Sequence, residues 1–142
     1  MTSSDDAYAV AGEIRVTFGR LRRRFRAVAH HDELTPSQMV VLWRLARDSM
    51  TAGELAAAEH VRPQSMAATV GVLLDNGYVE REPDPADRRR HVLSLSVDGR
   101  AIIDGTRKAR DEWLARAVSE RLTADERETL RAALPLLSRI VE

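Results

Sequence analysis

Residues 51–77 read TAGELAAAEHVRPQSMAATVGVLLDNG, and the punctuation of this stretch implies two short helices with a tight turn between them. Thr51 followed three residues later by Glu54 is a capping box, in which the hydroxyl accepts from a first-turn amide and the carboxylate reaches back to the cap's own amide. The helix it opens, GELAAAEH, is expected to end near His60 and Val61. Pro63 carries the fixed φ suited to a first helical turn, and the helix it starts is expected to run to Asn76-Gly77, where glycine takes a left-handed conformation at little cost. Two helices joined this closely form a helix-turn-helix.

On the second helix, Met66, Val70, Leu73 and Leu74 share one face and are expected to pack inward. Gln64, Ser65, Ala68 and Thr69 share the other, with Val72 the apolar exception. Short and small side chains in the first turns let a backbone approach a nucleic-acid edge. Amides and hydroxyls there suit phosphates and major-groove bases, and Gln64 suits adenine. Arg62, just before the first turn, is placed to meet phosphate. An exposed helix face of small residues is common in any helical protein, so this face alone leaves DNA contact open.

The period then changes from helical to alternating. Tyr78–Glu82 and His91–Val97 read as strands, the second with Leu93, Leu95 and Val97 on one face and Ser94 and Ser96 on the other. Between them DPADRRRHVLSLS, residues 84–96, places Arg88, Arg89 and Arg90 side by side at the tip of a hairpin. Exposed like charges repel by under ~1 kcal/mol per pair, a cost with no internal stabilisation in view. A phosphate backbone removes it and adds counterion release, and arginine suits the narrow, strongly negative minor groove of A·T-rich DNA. Asp87 is placed to orient one guanidinium. The competing reading is a solvated charged turn, and its position directly after a helix-turn-helix weighs against that.

Working toward the N-terminus, Thr35-Pro36-Ser37-Gln38 repeats the capping logic and opens a helix through MVVLWRLAR. Residues 5 to 30 form a helix with one apolar stripe that includes Val10 and Ile14. Toward the C-terminus, the 3.6-residue period returns from Ser96 to about Arg121. Thr123 to Glu126 caps a last helix striped by Leu130, Leu134, Leu137 and Val141, in which Pro135 is expected to force a break or kink near residues 131–134. The fold class is therefore mainly α with a small β-hairpin wing. It comprises a winged helix-turn-helix lobe at about residues 36–97 and helical segments at about 5–30 and 98–142.

At 142 residues the chain is one domain in size, and 4% aromatic content suits a helix-rich protein. No apolar run is long enough for a membrane span and the N-terminus lacks the features of a secretory signal, so the expected location is the cytoplasm, at the nucleoid. The absence of cysteine fits that compartment and removes disulfides and thiolate chemistry. Net charge is zero, yet RLRRRFR at residues 20–26 carries five arginines, so distribution matters more than the total.

The order of helix, LTPSQ helix start, helix-turn-helix, strand, basic wing, strand and two helices resembles the MarR family of multiple-antibiotic-resistance regulators over essentially the whole chain. Its most specific part is the wing pattern Asp-x-Arg-x-x-x-Val-x-Leu-Thr. Asp87, Arg89 and Leu95 match it, and Leu93 and Ser96 stand where the pattern has valine and threonine. The resemblance implies a homodimer built by the first and last helices, through Val10, Ile14, Leu130, Leu134, Leu137 and Val141, and acting as a sequence-specific repressor on a near-palindromic operator in double-stranded DNA. It also implies that Arg89 enters the minor groove with Asp87 holding it, that Arg88 or Arg90 meets phosphate, and that Ser65 and its neighbours read the major groove. Apolar stripes on the first and last helices, more than a chain of this size need bury alone, agree with a dimer.

Family members bind small aromatic or lipophilic effectors, and the corresponding region here includes His30, His31, Met39, Trp43 and Trp113. The competing assignment makes both tryptophans core and lets the two histidines end the first helix, where cations suit its dipole. No cofactor is expected, and no metal, because adjacent histidines point to different sides of a helix. An enzyme is not expected either, since no phosphate-binding glycine loop or nucleophile arrangement is present. The alternative in a different class is a helical interaction module or anti-activator that kept the fold without DNA affinity.

Overall fold

A computed structural model of the chain describes residues 3–29 and 33–142. Its elements are α1 (Ser3–Val28), α2 (Pro36–Arg47), α3 (Ala52–Ala58), α4 (Pro63–Asp75), β1 (Val79–Pro83), β2 (His91–Leu95), α5 (Val97–Arg121) and α6 (Ala124–Val141). The fold is mainly helical with one antiparallel hairpin, as the sequence implies. The described residues divide into two compact units: a lobe ending at Arg107, and a helical unit formed by the chain up to Ala29 together with Lys108–Glu142.

In the lobe the apolar positions of α2, α3 and α4 converge on one core. Val41, Leu42 and Leu45 meet Leu55 and Ala56 of α3 and Met66, Val70 and Leu73 of α4, and Val79, Leu93 and Ile103 close the cluster. Each large aliphatic side chain so buried contributes on the order of 1.5–3 kcal/mol relative to exposure. The hairpin runs in the register Val79↔Leu95 to Pro83↔His91. A further rung lies on the other edge of β2, where Met50 N donates to Leu93 O at 3.1 Å and Leu93 N to Met50 O at 2.8 Å. Leu93 is thereby fixed from both sides.

Two local expectations are corrected. The second strand stops at Leu95, and Val97 belongs to α5 and is 85% exposed. The reason is Ser96, whose hydroxyl accepts from Gly99 N at 3.0 Å and donates to Gly77 O. A serine that satisfies a first-turn amide starts a helix in preference to extending an alternating strand. Next to it α5 crosses the chain so closely that a Cβ on Gly99 would stand 2.1 Å from the Tyr78 carbonyl oxygen. The other correction concerns α6: the expected break does not occur, and the helix continues through Pro135 to Val141. Proline lacks an amide and crowds the carbonyl four residues back, at Arg131, but neither effect interrupts the element here.

The helical unit is built differently. Neither α1 nor α6 has a buried residue, and the buried positions of α5 (Gly99, Ile103 and Thr106) all precede Lys108. Its internal packing includes an edge-to-face contact of Phe25 with Trp113, centroids 5.8 Å apart. Among the described residues, no helix is long and apolar enough to cross a membrane.

Candidate nucleic-acid interface

The exposed side of the lobe is set by its caps. Thr35 with Gln38 and Thr51 with Glu54 form complete capping boxes at the starts of α2 and α3, so at each start the cap's own amide and the one three residues on are satisfied internally. The turn into α4 bends at His60, whose φ is 54°. Arg44 of α2 holds that corner, donating Nε to the Glu59 carboxylate and Nη2 to the Ala58 carbonyl at 3.2 Å. An ion-paired guanidinium that also takes an end-of-helix carbonyl positions α3, and with it the start of α4. Neither Arg44 nor Glu59 stands out in the sequence, because the contact spans fifteen residues.

Helix α4 opens with Pro63 at its first turn, and its cap residue Arg62 makes no side-chain cap bond. Met66, Val70 and Leu73 are buried, while Arg62, Gln64, Ser65 and Ala68 are exposed and Thr69 is half-buried. The Thr69 hydroxyl donates to Ser65 O at 3.1 Å, so outward it offers oxygen lone pairs and a methyl group in place of a donor. Alongside runs a cavity of about 240 Å³ whose lining includes Pro36, Ser37, Val40, Val61, Ser65 and Thr69. Ser37, Val40 and Val61 were not singled out from sequence. They come from the N-terminus of α2 and the turn before α4, which only tertiary packing brings beside Ser65.

The wing is an ordered turn. Asp84 N donates to Arg90 O at 2.8 Å and Arg90 N to Asp87 O at 3.0 Å, while the Asp84 carboxylate accepts from Ala86 N at 2.9 Å. Asp87 Oδ1 accepts from both the amide and Nε of Arg89 at 3.1 Å, and Oδ2 from its Nη2 at 3.4 Å. These bonds from Arg89, side chain first and amide second, hold the Asp87 carboxyl below the ordinary carboxylate range. Arg89 is nevertheless 91% exposed, a guanidinium braced on one side and open on the other.

The three arginines thus differ, which corrects the expectation of a tip without internal partners. Arg90 donates Nη2 to Glu54 Oε1 at 3.0 Å, whereas Arg88 is exposed and has no partner among the described residues.

The described candidate effector residues belong to both units. His30 and His31 lie outside the described residues. Met39 and Trp43 pack against the lobe core, and Trp43 lies under the Arg107 guanidinium at 5.3 Å. Trp113 belongs to the helical unit, against Phe25 and with Arg24 5.6 Å from its ring centre. Among the described residues no three His, Asp or Glu side chains are grouped to hold a metal ion. Of the candidate dimer positions, Val10, Leu130, Leu134 and Val141 are exposed, and Ile14 and Leu137 are half-buried.

Comparison with known proteins agrees with this geometry. A family model described as MarR family matches residues 32–90. An HTH-type transcriptional regulator of Mycobacterium leprae is 34% identical over 97% of this chain and 96% of its own length. The multiple antibiotic resistance protein MarR of Salmonella typhimurium is 30% identical over 72% of each chain. Among solved structures, a transcriptional regulator protein of Pseudomonas aeruginosa superposes with a TM-score of 0.83 at 37% identity, covering 99% of this chain and 98% of that one. With this fold, these capped helices and this wing, the chain is a DNA-binding transcriptional regulator, not an enzyme, and belongs to the MarR family.

Proposed function

We propose that the chain acts as a homodimer on a near-palindromic operator in duplex DNA, most simply as a repressor that a small molecule releases. The observation that carries this reading is Arg89, 91% exposed and braced by Asp87. Holding a long cation outward without neutralising its open side suits insertion into a minor groove, where the potential is most negative. Arg62, Gln64, Ser65, Ala68 and Thr69 on the open side of α4 take the major groove, with Arg88 on phosphate.

The dimer reading is supported by the helical unit. Its described residues include none that is buried, and Tyr8, Val10, Phe18, Leu134, Ile140 and Val141 are 48–85% exposed. A second copy gives these side chains a surface to cover, and two-fold symmetry then sets half-sites about one helical turn apart, ~34 Å. A small aromatic or lipophilic effector that changes this spacing would release the DNA. The setting is the cytoplasm, at the nucleoid.

Selection of bound fragments from random duplexes with the purified protein, followed by salt titration on the winning sequence, tests the reading. The expected result is a palindrome and an affinity that falls steeply with salt. No enriched sequence together with a flat salt response would overturn it in favour of an interaction module without DNA affinity.

A further inference from the structure

We infer that Arg90 is the anchor tying the wing to α3 through Glu54, and that it does not serve as a phosphate ligand; the inference rests on the DNA-binding reading and adds a positioning pair to it. Glu54 divides its carboxylate between two tasks. Oε2 accepts from Thr51 N at 3.0 Å, completing the cap of α3, and Oε1 accepts from Arg90 at 3.0 Å. Arg90 is equally committed on the wing side, because its carbonyl accepts from Asp84 N and its amide donates to Asp87 O, the two backbone bonds that close the tip. One residue therefore shapes the turn that presents Arg89 and attaches that turn to the helix-turn-helix.

The place of this pair in the fold explains what it adds. The bridge from Met50 to Leu93 pins the hairpin at the middle of its second strand, three residues from Arg90 and next to the Thr51 cap. The tip beyond such a point can still swing, and a small angular change at the strand becomes a larger displacement of a long side chain at the tip. A second attachment at Arg90 removes that freedom, so the offset between Arg89 and the reading face of α4 is set before DNA arrives. Preorganisation of this kind reduces the ordering cost at binding. The exposures agree with the division of labour: the Arg90 and Glu54 side chains are each 51% exposed, against 91% for Arg89.

Anchor and phosphate ligand predict opposite behaviour for the acidic partner. Glu54→Gln keeps the capping box, since glutamine serves at that position, but removes the charge that holds Arg90. If Arg90 is an anchor, Glu54→Gln and Arg90→Gln each weaken binding to the selected operator by about threefold, the scale of an exposed ion pair. The double variant is then no weaker than either single one, and all three keep the wild-type dependence of log Kd on log salt. Arg88→Ala, removing a phosphate contact, lowers that slope by about one.

If Arg90 instead leaves Glu54 for phosphate, Arg90→Gln lowers the slope as Arg88→Ala does, and Glu54→Gln binds as well as wild type or better. That result overturns the anchor. Hydrogen exchange in the DNA-free protein decides the same point independently: Glu54→Gln is expected to speed exchange of the Asp84 and Arg90 amides by about threefold, and unchanged rates overturn the anchor. Failure of the wild-type protein to select any duplex would sink the DNA reading, and the exchange rates would still decide whether Glu54 holds the wing.

Discussion

Replacing Arg89 by alanine is expected to weaken operator binding by about 1–3 kcal/mol, or about 5- to 160-fold, and to leave the fold intact. The side chain is 91% exposed and its described contacts go only to Asp87, two residues away. So exposed and local a pair adds little to folding, so the thermal midpoint should not move. In the proposed complex the same side chain supplies a charge and a planar set of donors, and truncation removes both. Arg89→Lys keeps the charge but not the fork, and should fall between alanine and wild type. Asp87→Asn keeps Arg89 but loosens its brace, with a smaller loss than Arg89→Ala because only the ordering of the guanidinium is affected. Fluorescence anisotropy on a labelled operator at fixed salt, with thermal melts of each variant, resolves these levels. Affinity of Arg89→Ala within twofold of wild type, with the fold preserved, would refute the role given to the wing.

Gly99→Ala should destabilise the lobe by about 2–3 kcal/mol, because the added methyl would sit 2.1 Å from a backbone oxygen of Tyr78 that cannot move independently; an unchanged denaturation midpoint would contradict that packing. Leu134→Asp, at a position 53% exposed in the single chain, should give monomeric or unfolded protein in sedimentation, and a dimer of wild-type mass would count against the covered face. Carboxyl NMR should find Asp87 titrating below its ordinary value of 3.8, with Arg89→Ala moving the midpoint upward. Because the folded pKa is lowered, the brace is complete above the usual carboxylate range and is lost only as pH falls through the lowered value. Equal midpoints in the two proteins would show that Arg89 is not its cause.

The local signals in the sequence were strong wherever one residue's chemistry decides one feature. Thr35, Thr51 and Thr123 start their helices, Gly77 ends α4 at a φ of 75°, and Asp87 orients Arg89. Ser96 misled because a serine in an alternating run reads as a strand residue, and only the nearness of Gly77 O and Gly99 N turns it into a cap. Pro135 misled for the opposite reason: its lost donor is a local fact, whereas the persistence of α6 belongs to the rest of the ladder. The pairs Arg44 with Glu59 and Arg90 with Glu54 span 15 and 36 residues. Nothing in a one-dimensional pattern of charges selects such partners, so Glu54 was legible as a capping residue while its second oxygen was not.

The bare apolar surface of α1 and α6 has a further consequence for the cell. Where folding of a segment depends on a second copy, its stability rises with protomer concentration, by about 1.4 kcal/mol for each tenfold increase in a dimer. Newly made chains at low abundance would spend longer with those helices uncovered, open to proteolysis and unable to hold two lobes at one site. Operator occupancy by a regulator that dimerises as proposed would then rise up to quadratically with copy number, at a level set by hydrophobic residues far in sequence from the arginines of the wing.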